Sequence, residues 1–136
     1  MRVFSKLGEH GLGWHAVALT GAALDRPRRR QWLRASAVIG GSFVANQVVK
    51  LLVNRPRPDV PGLPPLIHTL SNRSYPSAHA TTSAAASRVL SPLLPPAALW
   101  PLAVAMSLSR VYLGVHWPSD TVAGFALGAA VGELAS

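Results

Sequence analysis

Ser109-Arg110-Val111-Tyr112-Leu113-Gly114-Val115-His116-Trp117-Pro118-Ser119-Asp120 is the stretch on which the reading of this chain turns. It carries an arginine, a histidine and an aspartate between two runs that hold no Asp, Glu, Lys or Arg. Val89 to Ser109, 21 residues, lies on one side, and Thr121 to Gly132 on the other. Gly and Pro within the stretch predict a break between two helices, and Pro118 suits the first position of the second. Chemistry-bearing side chains are thus collected at a turn between two apolar helices.

Working outward, two more uncharged runs appear, Gly11 to Leu24 and Ala35 to Val49. Five helices are expected. The first covers Gly11 to Leu24 and is ended by Asp25-Arg26-Pro27, since Pro cannot continue a helix. The second covers Gln31 to Asn54 and is stopped by Pro56 and Pro58. The third runs from Ser77 to near Pro92, the fourth from Ala97 to Leu113 with Pro101 in its first turns, and the fifth from Ser119 towards the C-terminus. Pro56, Pro58, Pro61, Gly62, Pro64 and Pro65 make residues 55 to 75 a loop. At about 1.5 Å per residue, a bilayer core of about 30 Å takes about 20 helical residues. Only the run from Val89 to Ser109 reaches that by count, and Pro92, Pro95 and Pro96 interrupt it; the others need their flanks, tilt or snorkelling cations.

The chain has 136 residues, with 13 Lys and Arg against 5 Asp and Glu, a net charge of +8. Only 13% of residues are charged and 49% are hydrophobic, which excludes disorder. There is no Cys, which excludes a disulfide scaffold, thiol catalysis and Cys-ligated metal. The basic residues fall in short clusters between uncharged runs, which points to a membrane and an anionic substrate rather than to nucleic acid. The expected fold class is all-α, an integral-membrane helical bundle of about five transmembrane helices forming a single domain over residues 1–136. A soluble Ala-rich bundle is the alternative. Trp14, Trp32, Trp100 and Trp117 lie near helix ends, where interfacial rings sit. Gly124, Gly128 and Gly132, four residues apart, let another helix approach, with packing inside the monomer favoured over dimerisation.

Ionisable residues in such a chain should be few and functional. Besides the stretch 109–120 they gather at Lys50, Arg55 and Arg57, and at Tyr75-Pro76-Ser77-Ala78-His79. In an up-and-down bundle all three groups come to one end, giving cations, two histidines and a carboxylate on one rim, a site for a doubly charged anion. Lys50, Arg57 and Arg110 can neutralise phosphoryl oxygens. Ser77 stands at an N-cap, so the Ala78 and His79 amides face outward, ready for an anion. Asp120 can accept from one ring nitrogen of His116 and leave the other as a nucleophile, while His79 serves as acid and then base. The cations take the role that Mg²⁺ has in kinases, so no metal and no cofactor is expected. Zinc on His79, His116 and Asp120 is disfavoured by the neighbouring cations and the spacing. His10, His15 and His68 are read as structural, and Arg26, Arg28, Arg29, Arg30 and Arg34 as carbonyl caps or headgroup contacts.

These three clusters, in this order, resemble the type 2 phosphatidic acid phosphatase superfamily, the lipid phosphate phosphatases. Its first motif, Lys, six residues, Arg-Pro, is similar to Lys50 through Arg57-Pro58. The second, Pro-Ser-Gly-His, stands as Pro76-Ser77-Ala78-His79, with Ala for Gly. The third, Ser-Arg, five residues, His, three residues, Asp, is matched by Ser109-Arg110, His116 and Asp120. The resemblance covers residues 50 to 120. It implies His116 as nucleophile, Asp120 as its orienting partner and His79 as general acid, with Lys50, Arg57, Ser77, Ala78 and Arg110 on the phosphoryl oxygens. Arg55-Pro56 is a competing Arg-Pro at the wrong spacing from Lys50.

Membrane members of the family have six transmembrane helices and an extracytoplasmic site. With room for five and the first absent, this chain would have its N-terminus outside and Arg26 to Arg34 inside, as the positive-inside rule asks, although Arg2, Lys6, Arg55 and Arg73 would also lie outside. The short length, the opening Gly8-Glu9-His10-Gly11 and the turn Asp25-Arg26-Pro27-Arg28-Arg29-Arg30 resemble small actinobacterial members. Those act on polyprenyl-phosphate lipids, including decaprenylphosphoryl-phosphoribose. The expected function is a metal-independent lipid phosphatase of the cell membrane working through a phosphohistidine, with lipid phosphate and membrane lipids as partners and no nucleic acid. Alternatives are a phosphatidylglycerophosphate or phosphatidic acid phosphatase, a soluble acid phosphatase or haloperoxidase of the same superfamily, and a non-catalytic binder of anionic lipid.

Overall fold

The structure, a computed structural model, describes residues 8–69 and 71–136, so Arg2 and Lys6 lie outside the described residues. A 3-10 turn, Glu9–Gly11, leads into α1 (Leu12–Leu24). A second 3-10 turn, Arg26–Arg28, opens α2 (Arg29–Val53), and α3 (Ala78–Leu90), α4 (Pro96–Tyr112) and α5 (Pro118–Leu134) follow. The expected helices therefore stand within two residues of their observed ends.

The stops have local causes. Asp25 ends α1 and accepts from the Arg28 Nε at 2.6 Å and from the Trp32 Nε1 at 3.1 Å, fixing the reversal into α2. Asn54 takes a left-handed conformation, φ 49°, and its N–H closes the last turn on the Lys50 carbonyl at 3.1 Å. Residues 91–95 turn between α3 and α4, so the uncharged run from Val89 to Ser109 is not one span but the corner of a helical hairpin. The helix long and apolar enough to cross a membrane, among the described residues, is instead Arg26–Val53, 28 residues with a most apolar window of hydropathy 1.5, of which 22% is buried. The bulk of that window faces outward.

α3 is the axle of the bundle and packs against α5, α4 and α2. Its residues from Ala80 to Ser87 are all buried, and all are Ala, Ser or Thr. Small side chains are what allow three helices to close around a fourth. The hydroxyls return to backbone carbonyls: Thr81 Oγ1 donates to Ser77 at 3.0 Å, and Ser87 Oγ to Leu99 at 3.1 Å. Asn46 of α2 donates to Thr81 Oγ1 at 2.9 Å and to the Pro76 carbonyl at 3.2 Å. The glycine repeat of α5 lies along α3, as expected. A Cβ at Gly128 would overlap the Thr81 carbonyl, and one at Gly124 would come within 3.1 Å of the Ser77 amide.

Trp14 and Trp32 correct the expectation of interfacial rings. Both are buried, with Ala18, Ala22, Ala35, Ile39, Ala86, Leu90 and Leu99, in the apolar core between α1, α2, α3 and α4. The Ala-rich faces of α1 and α2 leave space that only a large ring fills. Trp14 Nε1 finds Ser83 Oγ at 2.9 Å, and Trp32 lies flat against Gly21. Trp100 and Trp117 stay partly exposed.

Candidate active site

The end of α2, the start of α3 and the corner between α4 and α5 meet at one end of the bundle. Two backbone features make that corner. Gly114 has φ 71°, a conformation costly for residues with a Cβ, and its N–H closes on the Val111 carbonyl at 2.9 Å. Pro118 then starts α5, and the Asp120 carboxylate folds back to accept from the Trp117 N–H at 2.8 Å. His116 is held between them, 4% exposed.

His116 Nδ1 stands 3.5 Å from Asp120 Oδ2. The contact is long for a hydrogen bond, since the same oxygen already serves Trp117. On the other side of the ring, Nε2 is 3.3 Å from Arg57 Nη1. A guanidinium can only donate, so Nε2 is the acceptor and the neutral ring carries its proton on Nδ1, towards Asp120. Burial pushes the His116 pKa down to about 4, and Arg57, Arg110 and Lys50 push the same way, against the opposing pull of Asp120. The imidazole is therefore neutral at physiological pH, with a lone pair on Nε2.

Arg57 is pinned by its own bonds. Its Nε donates to the Ser71 carbonyl at 2.7 Å and its Nη1 to the Val115 carbonyl at 2.6 Å, which ties the loop between α2 and α3 to the corner carrying His116. Burial lowers its affinity for a proton, and Asp120 partly offsets that. Lys50, 6% exposed, and Arg110, 4% exposed, join the half-buried Arg57 in a group of three cations within electrostatic reach of one another. Such a group asks for an anion to neutralise it.

The start of α3 is tied to the same place. The Ser77 N–H donates to the Asp120 carbonyl at 2.9 Å. Ser77 is fully buried at the N-cap, yet its hydroxyl caps no helical amide and has no hydrogen-bond partner among the described residues. Ala78 and His79 form the first turn of α3 and are half-buried. The His79 ring lies against Gly8, where an added Cβ would come 2.6 Å from its Cδ2. All eight residues singled out from the sequence thus belong to one end of the bundle.

Three placements escaped the sequence. Ser109 of the third cluster spends its hydroxyl on its own helix, donating to Met106 at 2.6 Å. Gly8 lets the N-terminal 3-10 turn rest on His79. Arg55, set aside for its spacing, reaches Asp120: Nη1 is 2.9 Å from Oδ1 and 2.8 Å from Ser119 Oγ. A buried carboxylate with a single histidine partner was the available signal, because a second donor was still to be found. Among the described residues no group of three or more His, Asp or Glu is placed to hold a metal ion. Of the other histidines, His15 bonds Ser36 Oγ at 2.8 Å and His10 sits edge-on to Phe43 at 5.2 Å, while His68 is exposed on the loop between α2 and α3.

The chain belongs to the PAP2 superfamily, whose family model matches residues 31–136, and the named relatives are phosphatases. Its relatives include the decaprenylphosphoryl-5-phosphoribose phosphatase of Mycobacterium tuberculosis, 46% identical over 141 residues, covering 98% of this chain and 75% of that protein. The crystal structure of the first transmembrane PAP2 type phosphatidylglycerolphosphate phosphatase from Bacillus subtilis superposes with a TM-score of 0.81 at 29% identity, covering 99% of this chain and 72% of the other. LpxE of Aquifex aeolicus has the same fold, with a TM-score of 0.82 at 22% identity over 98% of this chain and 81% of that one. The integral-membrane helical fold expected from the sequence is that of these phosphatases.

Proposed function

We propose that this chain is a single-domain, multi-pass membrane enzyme that hydrolyses the phosphomonoester or diphosphate of a polyprenyl-linked lipid, with no metal, through a phosphohistidine at His116. The observation that carries the reading is the state of that ring. It is buried and neutral, with Nδ1 facing Asp120 and a lone pair on Nε2 facing the cations. The kinship with a decaprenylphosphoryl-5-phosphoribose phosphatase supports a polyprenyl substrate with a sugar-phosphate headgroup.

In this reading the phosphoryl oxygens lie against Lys50, Arg57 and Arg110, with the Ser77 hydroxyl and the Ala78 amide as further donors. Fixed charges spread over the equatorial oxygens stabilise the transition state without reorganisation. His116 Nε2 forms a bond to phosphorus as the bond to the lipid oxygen breaks, and His79 gives that oxygen a proton. Asp120 balances the positive charge that develops on the ring. A water then attacks phosphorus, His79 takes its proton, and the nitrogen–phosphorus bond breaks to release phosphate. Ala78 keeps the backbone N–H that the family's Gly provides. The cluster from Arg26 to Arg34 at the opposite end of α2 favours a site facing the extracytoplasmic side.

The test is phosphate release from a panel of polyprenyl monophosphates, polyprenyl diphosphates, phosphatidic acid and phosphatidylglycerophosphate in detergent with EDTA, beside His116→Ala. Release by the wild type alone, highest on a polyprenyl phosphate, is expected. Equal release by His116→Ala would overturn the assignment, and a preference for phosphatidylglycerophosphate would move the substrate to a glycerolipid.

A further inference from the structure

The mechanism above leaves one charged residue of the site unused. Arg55 stands two residues before Arg57, and its side chain bonds Asp120 directly. Its Nη1 bonds Asp120 Oδ1 at 2.9 Å and Ser119 Oγ at 2.8 Å, while its guanidinium lies 5.5 Å over the Trp117 ring. Trp117 in turn donates from Nε1 to the Pro56 carbonyl at 3.3 Å, and the Arg55 carbonyl accepts from the Ser74 N–H at 2.8 Å. The arginine is thus held on its backbone and on both sides of its side chain. The carboxylate it meets is fully buried, whereas Arg55 itself is 37% exposed at the side chain.

We propose that Arg55 is a positioning residue for this reaction, acting through Asp120: it occupies Oδ1 so that Oδ2 is the oxygen turned to His116. The inference rests on the assignment of His116 and Asp120 above. Without Arg55 the buried carboxylate loses its one charged donor on Oδ1 and is held only by Trp117, His116 and the Ser74 side chain. A buried carboxylate left with one donor short is costly, and a charge-assisted bond is among the stronger ones available to hold it. Arg55 also sets how far the Asp120 charge is felt by the ring. Asp120 from α5 faces His116, with Arg57 from the loop, Lys50 from α2 and Arg110 from α4 around it; Arg55, His116, Lys50 and Arg57 face Asp120. Removing the Arg55 cation leaves the carboxylate unscreened, so His116 keeps a proton to higher pH.

The experiment measures phosphate release from a polyprenyl monophosphate in mixed micelles, between pH 4 and pH 8, for the full chain, R55Q, R55K, D120N and R55Q/D120N, with inhibition by orthovanadate as the readout of phosphoryl binding. For R55Q the expected loss in kcat is about tenfold to hundredfold, the loss of one charge-assisted bond. KM and vanadate inhibition stay near wild type, and the acid limb moves to higher pH. R55K recovers part of kcat and restores the limb. In the D120N background R55Q costs nothing further, because the oxygen it serves no longer carries charge. Three results overturn the proposal: R55Q equal to wild type; a parallel loss of vanadate inhibition with an unmoved limb, which makes Arg55 a phosphate ligand; or additive losses in R55Q/D120N. If R55Q alone does not fold, R55Q/D120N against D120N, with both charges of the pair removed together, decides the matter. Phosphate release by His116→Ala would instead fail the underlying assignment, whatever Arg55 does.

Discussion

Lowering the pH should unfold this protein in a way that depends on one histidine. His116 is buried and its pKa is pushed from 6.5 down to about 4, by burial first. The unfolded ring binds a proton below about 6.5, the folded ring only below about 4. Between those values the unfolded state holds more protons, so stability falls as pH is lowered through that window and is unaffected above it. At about 1.36 kcal/mol per unit, the difference amounts to about 3 kcal/mol by pH 4. The assay is denaturation of detergent-solubilised wild type and His116→Gln from pH 7.5 to pH 4. Subtracting the two curves removes the titrating groups that do not touch His116. The wild type should lose about 3 kcal/mol more than the variant, all of it below about pH 6.5. A difference curve that is flat across the window, or that rises as pH falls, would refute the argument that the ring is buried neutral.

Other outcomes follow from the same geometry. Gly128→Ala puts a Cβ onto the Thr81 carbonyl and should cost about 1–3 kcal/mol in thermal denaturation. Gly41→Ala, on the same kind of helical backbone but with nothing within 4 Å, should be neutral or gain up to about 1 kcal/mol. Asp120→Asn should lower kcat by roughly 10²-fold or more while phosphoryl binding persists, read as kcat against vanadate inhibition. Trp14→Phe should cost about 1 kcal/mol in denaturation, the bond to Ser83 Oγ, and leave turnover unchanged.

The helices were legible because prolines and a glycine punctuate them: Pro27, Pro56, Pro58, Gly114 and Pro118 mark ends by removing a donor or demanding a special backbone, and these effects are local. The site was legible for a different reason. In an apolar chain the ionisable groups gathered at helix ends must compensate one another, so Lys50, Arg57, Arg110, His116 and Asp120 identified one another. What stayed hidden depends on which neighbour a side chain chooses. Arg55 and Arg57 are both arginines before proline, and nothing in that pair says that one faces the cations and the other Asp120. Trp14 and Trp32 read as interfacial rings from their places near helix ends, because the space they fill between α1 and α2 exists only after the helices have packed. The α5 glycines gave the right partner type, a close helix, but not which one.

α3 has a further consequence for how such a protein reaches its bilayer. Its 13 residues span about 20 Å, short of the roughly 30 Å of hydrocarbon, and its buried run is built of Ala, Ser and Thr. Released from its neighbours, it would offer hydroxyls to lipid and too little apolar surface to hold it there. Arg26–Val53 alone, among the described residues, has the length and hydropathy of a membrane span. On the membrane reading proposed above, α3 enters the bilayer only in the company of the helices that surround it, because alone it is too short and too polar to stay there.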